Sequence, residues 1–264
     1  MNKYCVIARN FQTYFVKRLS EEVGKELSWF NPWEGSELPP AAIYFFRSSA
    51  VYGGQRDLDS LKQIPHGALL VNPETALNTF RDKEKQYSLN LGLPFRLIPW
   101  MDLRGKDQNA AENFLQHQGE MIVKPIRGQQ GWGVEKLNQE SLRNWWERRS
   151  DDEYLIQKFI QGKEQRLFFI GDEFYLLSRR GEGPAANFAQ GGSAELISVP
   201  DKLKSLGREC IQNSQAIYGA IDLILAEGEY HFLELNISPG IEQLEKVSGE
   251  NILQKLLKHL NSMI

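Results

Sequence analysis

Apolar and polar positions along this chain follow two periods. Short continuous apolar runs at 4–8, 42–46 and 68–71 read as buried strands. Between them lie helical stretches: 13–23, with Phe15, Val16 and Leu19 at helical spacing, and 57–63. Strands alternating with helices imply parallel pairing and an α/β sheet. Residues 72–87 read as one charged helix that opens at Asn72-Pro73 and ends before the Gly92-Leu93-Pro94 break.

Beyond residue 120 the pattern becomes rich in hairpins. A strand at 121–125 runs into a loop with three glycines in six residues, Gly128, Gly131 and Gly133, and out into a second strand near 134–137. The glycine loop is then a hairpin tip whose backbone can approach a ligand closely and cradle phosphates with its N–H groups, or simply a glycine-rich turn. A helix begins at Gln139 and carries Trp145 and Trp146. Residues 154–160 form a buried strand, and 166–170 with 173–177 form a hairpin across Gly171-Asp172. Helices at 205–218 and 249–264, the latter with Ile252, Leu256, Leu257 and Leu260 inward, flank a last hairpin at 220–236.

That last hairpin carries the chemistry. A three-residue loop, Glu227-Gly228-Glu229, places Asp222 opposite Glu234 on one face, with Cβ atoms about 5 Å apart, and Asn236 shares that face. The other face holds Leu223, Leu225, Leu233 and Leu235, suited to a core. Facing carboxylates repel. The arrangement becomes sensible with a divalent cation between them, since Asp, Glu and Asn offer only the oxygen ligands that Mg²⁺ takes. Without a metal it is an amphipathic hairpin with a solvated acidic face. Arg47 follows the end of the 42–46 strand, where ligands of α/β sheets bind, and could hold an anionic group or face solvent. Lys83, on a charged helix, reads by itself as a solvated side chain.

Composition narrows the class. The 264 residues suffice for one large domain or several small lobes. With 31 basic against 34 acidic residues, a net charge of −3, no basic bias points to nucleic acid. Cys5 and Cys210 are far apart without metal-site spacing, which fits a reducing, cytoplasmic compartment, and the four histidines form no metal-binding pattern. No run of about 18 apolar residues and no signal-peptide pattern is present, so no membrane partner is expected.

Taken in order, the segments resemble the ATP-grasp enzymes over roughly 72–257: Val123-Lys124-Pro125 with the glycine loop, Gln157-Lys158-Phe159-Ile160, Glu164 and Arg166, Arg180, Asn187, Gly191-Gly192, Asp222, then Glu234 and Asn236 with Ser238-Pro239-Gly240. The C-terminal run resembles the RimK-type glutamate ligases most, while 157–160 and 187–192 resemble glutathione synthetase. The resemblance implies an α/β (α+β) ATP-grasp fold of three lobes: an N-terminal α/β domain over 1–80, a central lobe with the glycine flap over 81–160, and a C-terminal antiparallel lobe with the metal site over 161–264.

It also implies roles. Lys83 and Lys124 would contact ATP phosphates or adenine, and Gly128, Gln129, Gln130, Gly131 and Gly133 would form the phosphate flap. Gln157, Lys158, Phe159 and Ile160 would line the adenine hinge, and Glu164 would bond the ribose. Asp222, Glu234 and Asn236 would bind Mg²⁺, as two ions, with Mn²⁺ an alternative. Arg180 and Asn187, with Arg179 as a rival to Arg180, would face the reacting phosphoryl group. Arg47, Arg166, Gly191 and Gly192 would hold substrate. The implied activity is an ATP-dependent carboxylate–amine ligase that forms an amide through an acyl phosphate, on an amino acid, peptide or protein tail. An ATP-grasp kinase and a nucleotide-binding regulatory protein are the alternatives. The branch usually has an arginine where Ala185 stands and a basic residue where Gln190 stands, which leaves the acid and the amine open. Oligomeric state is not set by the sequence, and a homo-oligomer is left open.

Overall fold

The structure is a computed structural model that describes residues 2–35, 37–48, 55–89, 94–128, 131–149, 153–179 and 194–264. The chain opens with β1 (Tyr4–Ile7), α1 (Tyr14–Val23), β2 (Leu27–Phe30), β3 (Ile43–Phe46), α2 (Gln55–Asp59) and β4 (Leu69–Val71). The strands pair in parallel in the order β2-β1-β3-β4. β1 and β3 are apolar and wholly buried, as strands covered on both faces must be. Leu27–Phe30 is a strand that the sequence analysis did not anticipate.

Two short helices follow, α3 (Glu74–Phe80) and α4 (Lys83–Ser88), then β5 (Arg96–Leu97). The expected single helix over 72–87 is therefore broken. Asp82 leaves the helical conformation and its carboxylate accepts the N–H of Lys85, capping a new helix whose first residue is Lys83. β6 (Trp100–Asp102), α5 (Gln108–Gln118), β7 (Met121–Pro125), β8 (Glu135–Leu137), α6 (Gln139–Arg148) and β9 (Tyr154–Lys158) build a small antiparallel sheet in the order β6-β9-β7-β8. α6 starts with a reciprocal cap between Asn138 and Ser141.

The remainder supplies β10 (Lys163–Ile170), β11 (Glu173–Arg179), β12 (Ala194–Ile197), α7 (Asp201–Ser214), β13 (Tyr218–Ala226), β14 (Glu229–Asn236), α8 (Glu242–Ser248) and α9 (Ile252–Asn261). Its six-stranded sheet runs β12-β11-β10-β13-β14-β5. α7 begins four residues before the expected start, behind Pro200, and ends at Gln215, whose left-handed backbone turns the chain into β13. Tyr218 is thus in a strand, not at a helix end. The expected helix over 249–264 runs only from Ile252 to Asn261, with Asn251 as its cap.

The parallel sheet and the six-stranded sheet share two cores. One joins Tyr44 and Phe46 to Leu167, Phe169, Leu223 and Phe232. The other joins Phe15, Ile43 and Phe45 to Phe168, Tyr175 and the inner face of α9. The small sheet has its own core, around Met121, Val123, Trp145 and Ile156.

One fully buried polar side chain ties the first two sheets together. Asn72, just after β4, donates to the carbonyls of Tyr218 at 2.7 Å and Ile237 at 2.6 Å. Its amide oxygen accepts the N–H groups of Ile217 at 2.6 Å and Tyr218 at 3.1 Å. Four backbone groups at the ends of β13 and β14 are satisfied by one residue. Removing it leaves them buried and unpaired, at about 1–3 kcal/mol each before relaxation. We expect Asn72→Ala to lower the unfolding free energy in urea by about 3–5 kcal/mol, and Asn72→Asp, nearly the same shape but without the two donors, by at least as much. A loss below about 1 kcal/mol would show that the sheets hold together without this link.

Candidate active site

The site is built on the hairpin of β13 and β14. Its turn is two residues long, with Ala226 paired to Glu229 and both Glu227 and Gly228 left-handed at φ 51° and 78°. This is the primed turn that suits the twist of paired strands. It corrects the expected three-residue loop. A two-residue turn alone would bring Leu233 opposite Asp222. Instead the register shifts between Asp222 and Leu223, Leu233 becomes the extra residue of a bulge, and Asp222 faces Glu234 after all. The shift also changes the apolar face: Phe232, fully buried, takes the core place expected of Leu233.

α4 holds the bulge in place. Tyr87 Oη donates to the carbonyl of Leu233 at 2.5 Å, and Gln86 Oε1 accepts the N–H of Leu235 at 2.8 Å. The same helix delivers Lys83, one turn before Tyr87 and on the same side. Lys83 is buried, not solvated. Its Nζ donates to the carbonyl of Gly128 at 3.0 Å and lies 3.6 Å from Glu234 Oε2. From β7, Lys124 donates to Tyr87 Oη at 2.5 Å and to Gln157 Oε1 at 2.8 Å. A chain of contacts thus runs from Lys124 through Tyr87 to the bulge.

A third strand adds the last charge. Arg166 on β10 is in register with Asp222 on β13. Its guanidinium takes both carboxylate oxygens, Nε to Oδ1 at 2.5 Å and Nη2 to Oδ2 at 2.7 Å. Glu164, two residues earlier, lies on the same face of β10. Asn236 follows Glu234 on β14, and its Oδ1 accepts the N–H of Ser238 at 3.0 Å. Ser238 Oγ in turn donates to the carbonyl of Phe46, and Arg47 donates to Pro239 O at 3.3 Å with its guanidinium 4.3 Å from the Phe15 ring centre. Arg47 therefore sits beside the loop that follows the acidic strand.

The glycine segment connects the antiparallel strands β7 and β8, and its first glycine, Gly128, gives its carbonyl to Lys83. Gly133 has φ 73°, and a Cβ there would come within 2.8 Å of Pro125 Cγ, so only glycine fits. At the hinge, the N–H of Lys158 donates to Pro99 O and that of Phe159 to Glu120 O, both at 2.8 Å. Gln129, Gln130, Arg180, Asn187, Gly191 and Gly192, and with them Ala185 and Gln190, lie outside the described residues, as does the side chain of Arg179.

Burial and charge set the ionisation. Burial, helped by Lys83, pushes the Lys124 ammonium down to about 7, against the pull of Glu234 and Asp222. Burial alone would raise the Glu234 carboxyl, but Lys83, Lys124 and Arg166 outweigh it and hold it below the usual range. Burial pushes Asp222 up to about 6 although Arg166 opposes it, so the bidentate pair stays ionised at neutral pH. Tyr87 is raised by burial and by Glu234, and remains a hydrogen-bond donor.

The structure thus brings together Lys83, Lys124, Gly128, Gln157, Arg166, Asp222, Glu234 and Asn236. Gln86 and Tyr87 were missed by sequence reasoning, although the four-residue spacing from Lys83 to Tyr87 was a signal for one shared helical face. Among the described residues no three His, Cys, Asp or Glu side chains form a metal cluster. The oxygen donors here are two carboxylates and an amide.

Comparison with known proteins adds three findings. A model described as the RimK-like ATP-grasp domain matches residues 93–260. A probable alpha-L-glutamate ligase of Histophilus somni (strain 2336) is 34% identical over 172 residues, 62% of this chain and 58% of that one, so the match spans less than two thirds of that relative's length. A probable alpha-L-glutamate ligase of Legionella pneumophila (strain Corby) is 24% identical over 98% of this chain and 95% of its own. Among solved structures, the ATP-grasp ligase PsnB complexed with a phosphomimetic variant of its minimal precursor, Mg and ADP superposes with a TM-score of 0.75 at 20% identity, over 98% of this chain and 99% of that one. That likeness shows the fold to be ATP-grasp.

The depressed Lys124 has a measurable consequence. In the folded protein it titrates at about 7, below the 10.5 of an ordinary lysine that the unfolded chain keeps. Between those values the unfolded chain binds the extra proton, so stability rises with pH. We expect wild-type unfolding free energy to gain about 3 kcal/mol from this residue between pH 7 and 9.5, and Lys124→Met to lack that gain. Parallel pH profiles of the two proteins in urea would show that Lys124 stays charged.

Proposed function

The chain belongs to the RimK-like ATP-grasp family, and from that membership we propose that it is an ATP- and Mg²⁺-dependent carboxylate–amine ligase that releases ADP and phosphate. The observation that carries the reading is the facing pair Asp222 and Glu234, with Lys83 and Lys124 converging on it and Lys83 bonded to the first glycine of the glycine loop. A carboxylate and a triphosphate repel each other, so a site that joins them must supply positive charge and backbone donors. Lys83 and Lys124 supply that charge beside Glu234.

In this reading a substrate carboxylate oxygen attacks the γ-phosphorus of ATP. The bond to the β-phosphate oxygen breaks, ADP leaves and an acyl phosphate forms. The nitrogen of an amine then attacks the acyl carbon and phosphate departs, leaving an amide. Lys83 and Lys124 bind phosphates. Gly128, Gly131 and Gly133, with Gln129 and Gln130, close over them and exclude water from the acyl phosphate. Because the N–H groups of Lys158 and Phe159 are already engaged, we assign the adenine contact to the Ile160 amide and nearby carbonyls. Glu164 bonds the ribose.

The donor set fits Mg²⁺: Asp222, Glu234 and Asn236 offer only oxygen, from facing strands of one sheet face. When bound there, Mg²⁺ would shield the charge that develops on the phosphates. We place two ions in the site. Arg180 and Asn187 face the reacting phosphoryl group, with Arg179 beside them. Gly191 and Gly192 shape the substrate loop. Arg47 is the described cation we assign to the substrate carboxylate, since Arg166 gives its fork to Asp222.

The relatives named as glutamate ligases and the peptide precursor held by PsnB suggest an amino acid or peptide as substrate. Both cysteines are free and buried, in keeping with a cytoplasmic enzyme. No described helix is long and apolar enough to cross a membrane.

We expect Mg-ATP with pooled amino acids, short peptides and other carboxylic acids to yield ADP, phosphate and a condensation product identified by mass. ADP without phosphate, beside a substrate heavier by one phosphoryl group, would replace the ligase by a kinase. Glu234→Ala should fold normally and lose on the order of 10³ or more in turnover, about 4 kcal/mol of barrier. Near-normal turnover by that variant would remove the metal role from this hairpin.

A further inference from the structure

The two carboxylates that meet across β13 and β14 are already neutralised by the protein. Asp222 has both oxygens on Arg166, and Glu234 has Lys83 at 3.6 Å. Glu164 on β10 adds a third carboxylate, which acts on both Asp222 and Arg166, and Lys124 adds a third cation, which acts on Glu234, so the formal count is three negative charges against three positive ones. The two counter-ions differ in kind. Lys83 is a point charge on a flexible stem, shared with the Gly128 carbonyl. Arg166 is a planar fork on the neighbouring strand, in register with its partner. Its side chain is 16% exposed, that of Asp222 11%, and it cannot lose its proton.

Sequence resemblance gives Arg166 to the substrate, whereas the geometry gives it to Asp222. Arg166 does not block a metal there. Each carboxylate oxygen has two acceptor positions, so an oxygen that accepts from Arg166 keeps one for a cation. What Arg166 removes is the net negative charge that would attract a free dication. We infer that Arg166 is a positioning residue that sets the order of assembly: it holds the hairpin near neutral, so a divalent cation binds appreciably only together with a nucleoside diphosphate or triphosphate. The phosphates bring the missing negative charge and draw Lys83 towards themselves. This inference rests on the reading of Asp222, Glu234 and Asn236 as metal ligands.

The test uses Mn²⁺ alone as the probe and follows its binding to the full chain by water-proton relaxation, with and without ADP and with ADP alone as the control. No turnover is involved. Wild type should bind Mn²⁺ at least tenfold more weakly without ADP than with it. Arg166→Gln should bind Mn²⁺ without ADP at least tenfold more tightly than wild type does. Arg166→Lys, which keeps the charge and loses the fork, should stay within threefold of wild type. The inference is overturned if Arg166→Gln binds free Mn²⁺ no better than wild type, or if wild type binds it equally well without ADP. The wild-type comparison decides the matter even where Arg166→Gln does not fold, as read by circular dichroism. Binding of ADP with no Mn²⁺ binding in any condition would overturn this inference together with the metal assignment beneath it.

Discussion

Two acidic side chains forced together across a hairpin are the constraint around which the site is arranged. Asp222 and Glu234 face each other because of a bulge, and a sheet does not tolerate like charges in that position without compensation. Each cation nearby arrives from a different element: Arg166 from β10, Lys83 from the first turn of α4 and Lys124 from β7 of the small sheet. The acidic pair therefore needs the large sheet, the connecting helix and the small sheet in register at once. The electrostatics of one face and the assembly of three elements are the same problem.

The bulge shows how that assembly is enforced. A two-residue turn by itself would set the strands one residue out and turn Glu234 away from Asp222. The extra residue at Leu233 restores the pairing, and α4 fixes it by taking its carbonyl with Tyr87 and the N–H of Leu235 with Gln86. Tyr87 is also the partner of Lys124. A backbone irregularity, which could slip, is held by the same hydroxyl that holds Lys124. Bulges beside active sites re-aim side chains, and here the re-aimed side chain is Glu234.

Much of this was legible in the sequence, for physical reasons that can be named. The parallel sheet was visible because strands buried on both faces are continuous apolar runs, and the last hairpin because Glu227-Gly228 lies between β-formers. The ATP-grasp resemblance was visible because its ordered motifs fall on strands and turns. What was hidden depended on a single residue's partner far away. Asp82 breaks one helix into two, and nothing local distinguishes a capping Asp from a solvated one. The pairing of Asp222 with Glu234 was obtained through a three-residue turn that does not exist, because a shorter turn and a bulge give the same register. The pairing of Arg166 with Asp222 is hidden because sequence order cannot show that the strand beside it carries Asp222. Asn72 was read as a helix opener, since its four backbone partners lie some 145 residues or more away.

The span that matches the family begins at residue 93, yet Lys83, Gln86 and Tyr87 precede it, and so does Arg47. The acidic hairpin, the glycine flap and Arg166 lie inside the span, while the residues that lock the bulge and the arginine assigned to the substrate come from outside it. This division has a consequence for how such a protein varies. Changes in the first unit reach the site through Arg47 and Phe46, which are bonded to the loop at Ser238 and Pro239. Changes in α4 reach the bulge, Glu234 and Lys124, because Tyr87 and Lys83 belong to one helical face. The contacts of Arg47 and those of α4 thus fall on different parts of one strand and the loop after it, and Asn72, bonded to the ends of both hairpin strands, keeps the two in a fixed relation.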